Sequence, residues 1–137
     1  MKLFLDTNVF IRFFVPEDQE THECVRSLIE ECGKGNFRPY TSSFVLLECS
    51  FVLNRIYKFP DVRVQDCLEK IITMRNMTLV DRSDTRSALV MWKETRVKFT
   101  DCLIATQIPK GVALVTYDRD FIKIPGLTVR TPKDIIG

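Results

Sequence analysis

The sequence predicts a single-domain α/β/α sandwich with a mainly parallel central sheet, extending over residues 1–137. Short apolar runs alternate with segments in which apolar residues recur at helical spacing. Strands that alternate with helices favour a parallel sheet covered on both faces. The length of 137 residues is that of one domain, and 45% apolar with 28% charged residues is typical of globular proteins.

The elements follow from these runs in chain order. The first apolar run stops at Asp6, so we expect a strand that leads into a turn or helix. Ser42 or Ser43 is expected to cap one helix, Ser83 or Asp84 another, and Thr100 a third. Strands are expected at residues 1–5, 37–41, 77–80, 112–116 and 127–130. Helices are expected at residues 24–32, 44–57, 61–75 and 132–136 and after the last two caps, with a turn at residues 118–121.

Composition excludes several classes of protein. The single histidine, His22, and five cysteines without a C-x-x-C pair exclude a zinc finger and leave no ordinary base for a serine or cysteine nucleophile. No glycine-rich dinucleotide or phosphate-binding motif occurs. The net charge of +2 is too small to indicate nucleic-acid binding by itself, although a local basic rim is compatible with it.

The expected location is the cytoplasm. No apolar run reaches the roughly 18 to 20 residues of a membrane span, so no membrane association is predicted. The carboxylate at position six interrupts the first apolar run, which is unlike a signal peptide. The five cysteines are expected to serve mainly as small buried residues, as in a reducing compartment.

Acidic residues occupy unusual positions. Asp6 directly follows the first strand, and Asp118 and Asp120 follow the strand at 112–116. Ligands of open α/β sheets bind beyond the carboxyl ends of the strands, where these acids are expected. Glu48 lies inside an apolar helix, and Asp101 begins another.

If these acids converge, they require positive charge. Two unit charges about 4 Å apart repel by roughly 4 kcal/mol at an effective dielectric of 20. A set of oxygen ligands without histidine or cysteine favours Mg²⁺ or Mn²⁺. Such an ion can activate water and stabilise a phosphoryl oxygen, which is the chemistry of a phosphodiesterase.

Each acid also has a purely structural interpretation. Asp6 could cap the next helix, Asp101 could interact with a helix dipole, and Asp118 or Asp120 could form a turn. Glu48 is hardest to explain in this way, because a solvent-facing glutamate would have polar neighbours three and four positions away. Those neighbours are Phe44, Val45, Phe51 and Val52.

Four motifs in order resemble the PIN domain family, and within it the VapC toxin ribonucleases of type II toxin–antitoxin systems. They are LFLDTNVFIRFF, SSFVLLECSFVL, FTDCLIA and LVTYDRDF followed by GLTV. The resemblance implies a PIN-like nuclease domain with an acidic metal pocket. Its acids would be Asp6, Glu48, Asp101 and Asp118, with Asp120 as a helper or substitute, supported by Asn8 and Thr116.

The resemblance further implies the activity and the partners. Members of the family cut RNA with Mg²⁺ or Mn²⁺, usually form homodimers, and are inhibited by a VapB-like antitoxin. Nearby basic residues could guide RNA or could be solvated surface charges: Arg12, Lys93, Arg96, Lys98, Arg119 and Lys123. Phe13, Phe14 and Tyr117 could stack on bases, although core or dimer packing is an alternative for the two phenylalanines.

Three alternatives remain open. A phosphatase with an aspartyl nucleophile at Asp6 would need a second acid where Asn8 stands. A PIN nuclease of RNA processing or decay would share the chemistry, although the short chain favours the toxin. A catalytically inactive RNA-binding or protein-binding module is expected to lack some of these acidic residues, whereas all of them are present in this sequence.

Overall fold

Five strands form the centre of the computed structural model, which describes residues 1–137. They are β1 (Lys2–Leu5), β2 (Arg38–Ser42), β3 (Thr78–Val80), β4 (Ala113–Val115) and β5 (Val129–Arg130). They lie in the order β3-β2-β1-β4-β5, and every neighbouring pair is parallel. The predicted parallel sheet is therefore confirmed.

Seven α-helices flank this sheet. They are α1 (Thr7–Phe14), α2 (Gln19–Gly33), α3 (Ser43–Phe51), α4 (Asp61–Ile72), α5 (Thr85–Thr95), α6 (Phe99–Gln107) and α7 (Pro132–Ile136). A π-helical turn at Val52–Ile56 extends α3, and a 3₁₀ turn at Arg119–Lys123 follows β4. None of the helices is both long and apolar enough to cross a bilayer.

The burial of β1 explains why the sheet is covered on both faces. Leu3, Phe4 and Leu5 are all fully buried. Successive side chains of a strand point to opposite faces, so three consecutive buried residues require packing on each face. The apolar run at the start of the chain therefore forms a central strand, as a parallel sheet requires.

The order of the strands places a crevice beside β1. The chain adds β2 and β3 on one side of β1, and then β4 and β5 on the other. At such a reversal, the loops beyond the carboxyl ends of the strands diverge and leave room for a ligand. Leu5 pairs with Val115 at this end, so the residues that follow them, Asp6 and Thr116, are neighbours.

The helix caps agree with the sequence in two of three cases. The Ser42 side chain accepts from the Val45 N–H, and the Asp84 side chain caps α5. The expected cap at Thr100 is wrong, because the Cys102 N–H already bonds to the Lys98 carbonyl at 3.1 Å. The helix therefore begins at Phe99.

The helix expected at residues 44–57 changes type along its length. It is α-helical to Phe51 and continues as a π-helical turn, in which the Tyr57 N–H bonds to the Val52 carbonyl at 3.2 Å. Apolar periodicity did not indicate this change, because a π turn adds one residue per turn without a fixed sequence signal.

Leu114→Ala tests the burial of β4 between β1 and β5. The side chain is fully buried, so we expect the free energy of unfolding to fall by about 2 to 5 kcal/mol. Leu47→Ala is the matched control, because Leu47 is 64% exposed and should change stability by less than about 1 kcal/mol. Urea unfolding followed by circular dichroism measures both. Equal losses would contradict the assigned burial.

Candidate functional site

Asp6 lies at the carboxyl end of β1, directly before α1. Its backbone N–H donates to the Val115 carbonyl at 3.1 Å, which holds it against the end of β4. Asp6 occupies the N-cap position of α1, but its side chain makes no capping hydrogen bond. The carboxylate is instead buried, and the Thr116 hydroxyl donates to Oδ2 at 2.7 Å. The capping interpretation of Asp6 therefore does not describe its side chain.

Asn8 and Thr116 connect Asp6 to the segment after β4. The Asn8 amide donates to the Thr116 hydroxyl at 3.0 Å and lies 3.4 Å from Asp6 Oδ2. Asn8 Oδ1 accepts from the Tyr117 N–H, and the Thr116 hydroxyl accepts from the Asp118 N–H, each at 3.0 Å. Both residues were predicted to support the acids, and both contact Asp6.

Glu48 extends from α3 toward the start of α1. The Thr7 hydroxyl donates to Glu48 Oε1 at 2.7 Å, and the glutamate is half-buried. A buried carboxylate requires a cation or hydrogen-bond donors, and a hydroxyl serves here. Sequence reasoning missed Thr7, whose one signal is a hydroxyl next to Asp6 at the start of a helix.

Asp101 lies in the first turn of α6 and is buried. Its Oδ2 atom has no hydrogen-bond partner, and the nearest cation, Lys98 Nζ, is 3.9 Å away. Burial raises the pKa of Asp101 to about 7, Lys98 opposes this rise, and the other acids of the site add to it. An unsatisfied buried carboxylate oxygen is costly, and so it marks a position where a cation would stabilise the protein.

Asp118 and Asp120 have different surroundings. Asp118 is half-buried, and its Oδ1 accepts from the Asp120 N–H at 2.9 Å, which begins the 3₁₀ turn. Asp120 is exposed and lies 3.3 Å from Lys123 Nζ. Asp118 faces the other acids, whereas Asp120 forms a surface ion pair. Of the two candidates for the fourth acid, only Asp118 lines the cavity with the other acids.

Four of the predicted acids line one cavity of about 320 Å³: Asp6, Glu48, Asp101 and Asp118. Burial raises the pKa of Asp6 to about 6, with added contributions from the charges of Glu48 and Asp118. All of these donors are carboxylate oxygens, which suit a hard divalent cation. In this structure, no group of three or more Asp, Glu, His or Cys side chains has an arrangement that could hold a metal ion. The metal site therefore stays a prediction.

The predicted RNA-binding residues divide into two groups. Arg12 and Lys98 line the cavity, and the Arg12 guanidinium lies 4.6 Å from the centre of the Tyr117 ring. Arg96 and Arg119 are exposed and do not line it. Two further candidates, Lys93 and Lys123, are also outside it. The structure thus brings only two cations to the acids.

The two phenylalanines, the histidine and the cysteines considered above do not line the cavity. The rings of Phe13 and Phe14 pack edge to face with their centroids 5.2 Å apart, and both side chains pack against the core. His22 is half-buried, and its Nδ1 lies 3.0 Å from the Arg12 carbonyl. All five cysteines are unpaired, and four of them are buried. Neither the histidine nor any cysteine lines the acidic cavity.

These features define an α/β domain with an acidic cavity at the switch point of a parallel sheet. The family model described as "PIN domain" matches residues 3–127, and the chain belongs to this family. It is similar to a "VapC ribonuclease" of Aquifex aeolicus (strain VF5), with 25% identity over 94% of this chain and 96% of the relative.

Solved structures share the fold. One is VapBC2 from Rickettsia felis bound to a promoter DNA fragment, with a TM-score of 0.66, 22% identity and coverage of 96% of this chain and 98% of that one. Another is a toxin–antitoxin complex from Klebsiella pneumoniae, with a TM-score of 0.61, 19% identity and coverage of 95% and 97%. The membership of the PIN domain family, predicted from the four motifs, is confirmed.

The raised pKa of Asp6 predicts a pH dependence of stability in metal-free buffer. The pKa rises from 3.8 to about 6 on folding, so the folded state is favoured at low pH and loses stability as the pH rises through 6. Asp6→Asn removes this loss. We expect the difference in unfolding free energy, variant minus wild type, to grow by about 2 to 3 kcal/mol from pH 4 to pH 8.

The measurement is urea unfolding in EDTA at several pH values. Asp84→Asn is the control of opposite sign, because hydrogen bonds from Ser87 lower the pKa of Asp84. Its stabilising contribution is lost as the pH falls, so this variant should be most destabilised relative to wild type near neutral pH. A pH-independent difference for Asp6→Asn would show that its burial has little effect on its ionisation.

Proposed function

We propose that this PIN domain is a metal-dependent endoribonuclease and the toxin of a type II toxin–antitoxin system. The observation that carries the proposal is the meeting of four carboxylates, from four separate segments of the chain, in one cavity. Such a concentration of negative charge destabilises the fold and is characteristic of sites that bind cations. The similarity to a VapC ribonuclease supports RNA as the substrate.

Asp6, Glu48, Asp101 and Asp118 are the residues that would hold Mg²⁺ or Mn²⁺. The unsatisfied Oδ2 of Asp101 and the raised pKa values of Asp6 and Asp101 support this assignment, because a cation would relieve both. When bound, the ion supplies an activated water and neutralises charge on the scissile phosphate.

The chain's own residues orient the acids and the substrate. Thr116 and Asn8 fix the carboxylate of Asp6, and Thr7 fixes that of Glu48. Arg12 and Lys98 are the basic residues of the cavity, and their charges would attract the RNA backbone. Hydrolysis by water needs no covalent bond to the enzyme, in agreement with the absence of a nucleophile beside a histidine.

The proposed partners are a VapB-like antitoxin and a second copy of the chain. The titles of two related structures describe a VapBC protein and a toxin–antitoxin complex, which supports an antitoxin for this chain also. Leu47 and Phe51 expose 64% and 60% of their surface on α3, beside Glu48, and are available for such contacts. A neighbouring gene for a small antitoxin would distinguish this proposal from a PIN nuclease of RNA processing.

Substitution of the buried acids is expected to abolish cleavage. Asp6→Asn and Asp101→Asn should each lower the rate of RNA hydrolysis at least about 100-fold, because each removes one of the carboxylates proposed to hold the cation. Asp120→Asn is the matched control and should retain most activity, since Asp120 is outside the cavity. The assay is cleavage of a labelled RNA by purified protein, with unfolding curves recorded alongside. Undiminished cleavage by Asp6→Asn, with contaminating nuclease excluded, would refute the assignment.

Removal of divalent ions is expected to stop the reaction. Cleavage should cease in EDTA and return with excess Mg²⁺ or Mn²⁺, because the carboxylates alone provide no cation for the phosphate. Ca²⁺ added in place of Mg²⁺ serves as a control for charge without the same coordination geometry. Full activity after exhaustive chelation would contradict metal dependence and leave the acids without their proposed role.

A further inference from the structure

The acidic cavity continues well beyond the carboxylates. Thr7 and Ile11 of α1 line it, as does Val15, the C-cap of this helix. The three residues are spaced four positions apart. Four residues of α-helix rise about 6 Å, so the lining extends about 12 Å along α1 from the acidic end. The total volume of about 320 Å³ falls at the lower end of the roughly 300 to 1,000 Å³ of small-molecule sites.

The π-helical turn brings an aromatic side chain to the far end. Glu48 and Val52 line the cavity one helical turn apart, and the next residue to do so is Tyr57, five positions later. In a regular α-helix the equivalent position would be Ile56. The wider π turn instead bonds the Tyr57 N–H to the Val52 carbonyl and leaves Ile56 61% exposed. Single π turns occur frequently at functional sites.

Polar side chains accompany these apolar walls: Arg12, Glu17, Asp18, Thr21 and Tyr57. Asp18 caps α2 and accepts from the Thr21 N–H at 3.0 Å and from the Thr21 hydroxyl. Glu17 and Tyr57 line the same cavity. Burial, and after it the Glu17 charge, raise the pKa of the Tyr57 phenol. Arg12 is supported by the Tyr117 ring, and its Nε is buried without a partner. Arg12 also makes no salt bridge. We name the region lined by Arg12, Val15, Glu17, Val52 and Tyr57 the distal subsite.

This combination suits a nucleobase attached to a phosphate. An aromatic ring and two valines provide apolar contact for the faces of a base, and stacking contributes about 1 to 3 kcal/mol per base. Guanine presents two adjacent N–H donors that a carboxylate can accept together, whereas uracil presents one N–H between two carbonyl oxygens. The arginine supplies a cation for the phosphate that connects the base to the acidic end.

We propose that the distal subsite binds an unpaired guanine of single-stranded RNA, one or two nucleotides from the scissile bond. Glu17 accepts from the edge of the base, Tyr57 contacts its face, and Arg12 contacts the backbone phosphate. The inference rests on the proposed ribonuclease function for its substrate class. The distal subsite would then set the sequence preference, while the carboxylates carry out the hydrolysis.

The first test measures cleavage of four RNA oligonucleotides that differ only in the base at one position near the cleaved bond. Wild-type protein should favour guanine over uracil by about tenfold or more, as expected for a bidentate contact to a base. Glu17→Gln should reduce this ratio to near one, and Tyr57→Ala should raise KM with a smaller effect on kcat. Glu20→Gln and Ile56→Ala are the matched controls, because both residues are outside the cavity and should leave the ratio unchanged.

The second test does not require catalysis. Chemical shifts of ¹⁵N-labelled protein are followed during titration with guanosine 5′-monophosphate and, separately, uridine 5′-monophosphate. The guanine nucleotide should bind more tightly and shift amides around residues 12–17 and 52–57, and Tyr57→Ala should abolish this while retaining a dispersed spectrum. Tyr57→Phe keeps the ring and should retain binding even if the alanine variant unfolds.

The two tests separate the two proposals. Cleavage without base preference, or a preference that persists in both Glu17→Gln and Tyr57→Ala, would overturn the distal subsite and leave the ribonuclease proposal intact. Tyr57-dependent binding of the guanine nucleotide without any RNA cleavage would support the subsite and contradict the nuclease. Equal binding of both nucleotides away from residues 12–17 and 52–57 would overturn the distal subsite.

Discussion

The burial of two carboxylates, Asp6 and Asp101, is the constraint on which the rest of this site depends. A carboxylate removed from water favours its protonated form, and burial raises the pKa of Asp6 from 3.8 to about 6 and that of Asp101 from 3.8 to about 7. Glu48 and Asp118 lie close enough to increase this effect. A fold that keeps such groups together without cations loses stability near neutral pH. The proposed cation would compensate this charge.

The sheet order provides the place for these acids, and hydroxyl groups hold them there. The reversal beside β1 opens the crevice, and the pairing of β1 with β4 makes Asp6 and Thr116 neighbours. The Thr116 hydroxyl donates to Asp6 and accepts from the Asn8 amide and the Asp118 N–H, so one hydroxyl joins the start of α1 to the segment after β4. Hydroxyl donors orient the acids without neutralising them. The negative charge of the cavity remains available to a cation.

Much of this architecture follows from local sequence signals. An apolar run that ends at Asp6 indicates both a central strand and a carboxylate at its end, since the two features are adjacent in the chain. Glu48 is conspicuous because its helical neighbours are apolar. Asp101 was also identified from its position at the start of an apolar helix. The N-cap predicted at Thr100 was wrong, because the helix begins one residue before it, at Phe99.

Other features depend on tertiary structure and have no local signal. Asp118 and Asp120 both follow β4 in the chain, and the conformation of the 3₁₀ turn determines which one faces the cavity. The Thr7–Glu48 hydrogen bond joins residues 41 positions apart. Tyr57 reaches the cavity through a π turn that apolar periodicity did not predict. Side-chain contacts between distant segments were therefore the least predictable part of the site.

The central claim is that the clustered carboxylates bind a divalent cation, and crystals soaked in Mn²⁺ test it most directly. Anomalous scattering identifies the ion independently of its coordination. The account predicts an anomalous peak between the carboxylates of Asp6, Glu48 and Asp101, with Oδ2 of Asp101 among the ligands. Well-ordered carboxylates without an anomalous peak at saturating Mn²⁺ would contradict the account, as would an ion bound only elsewhere on the protein.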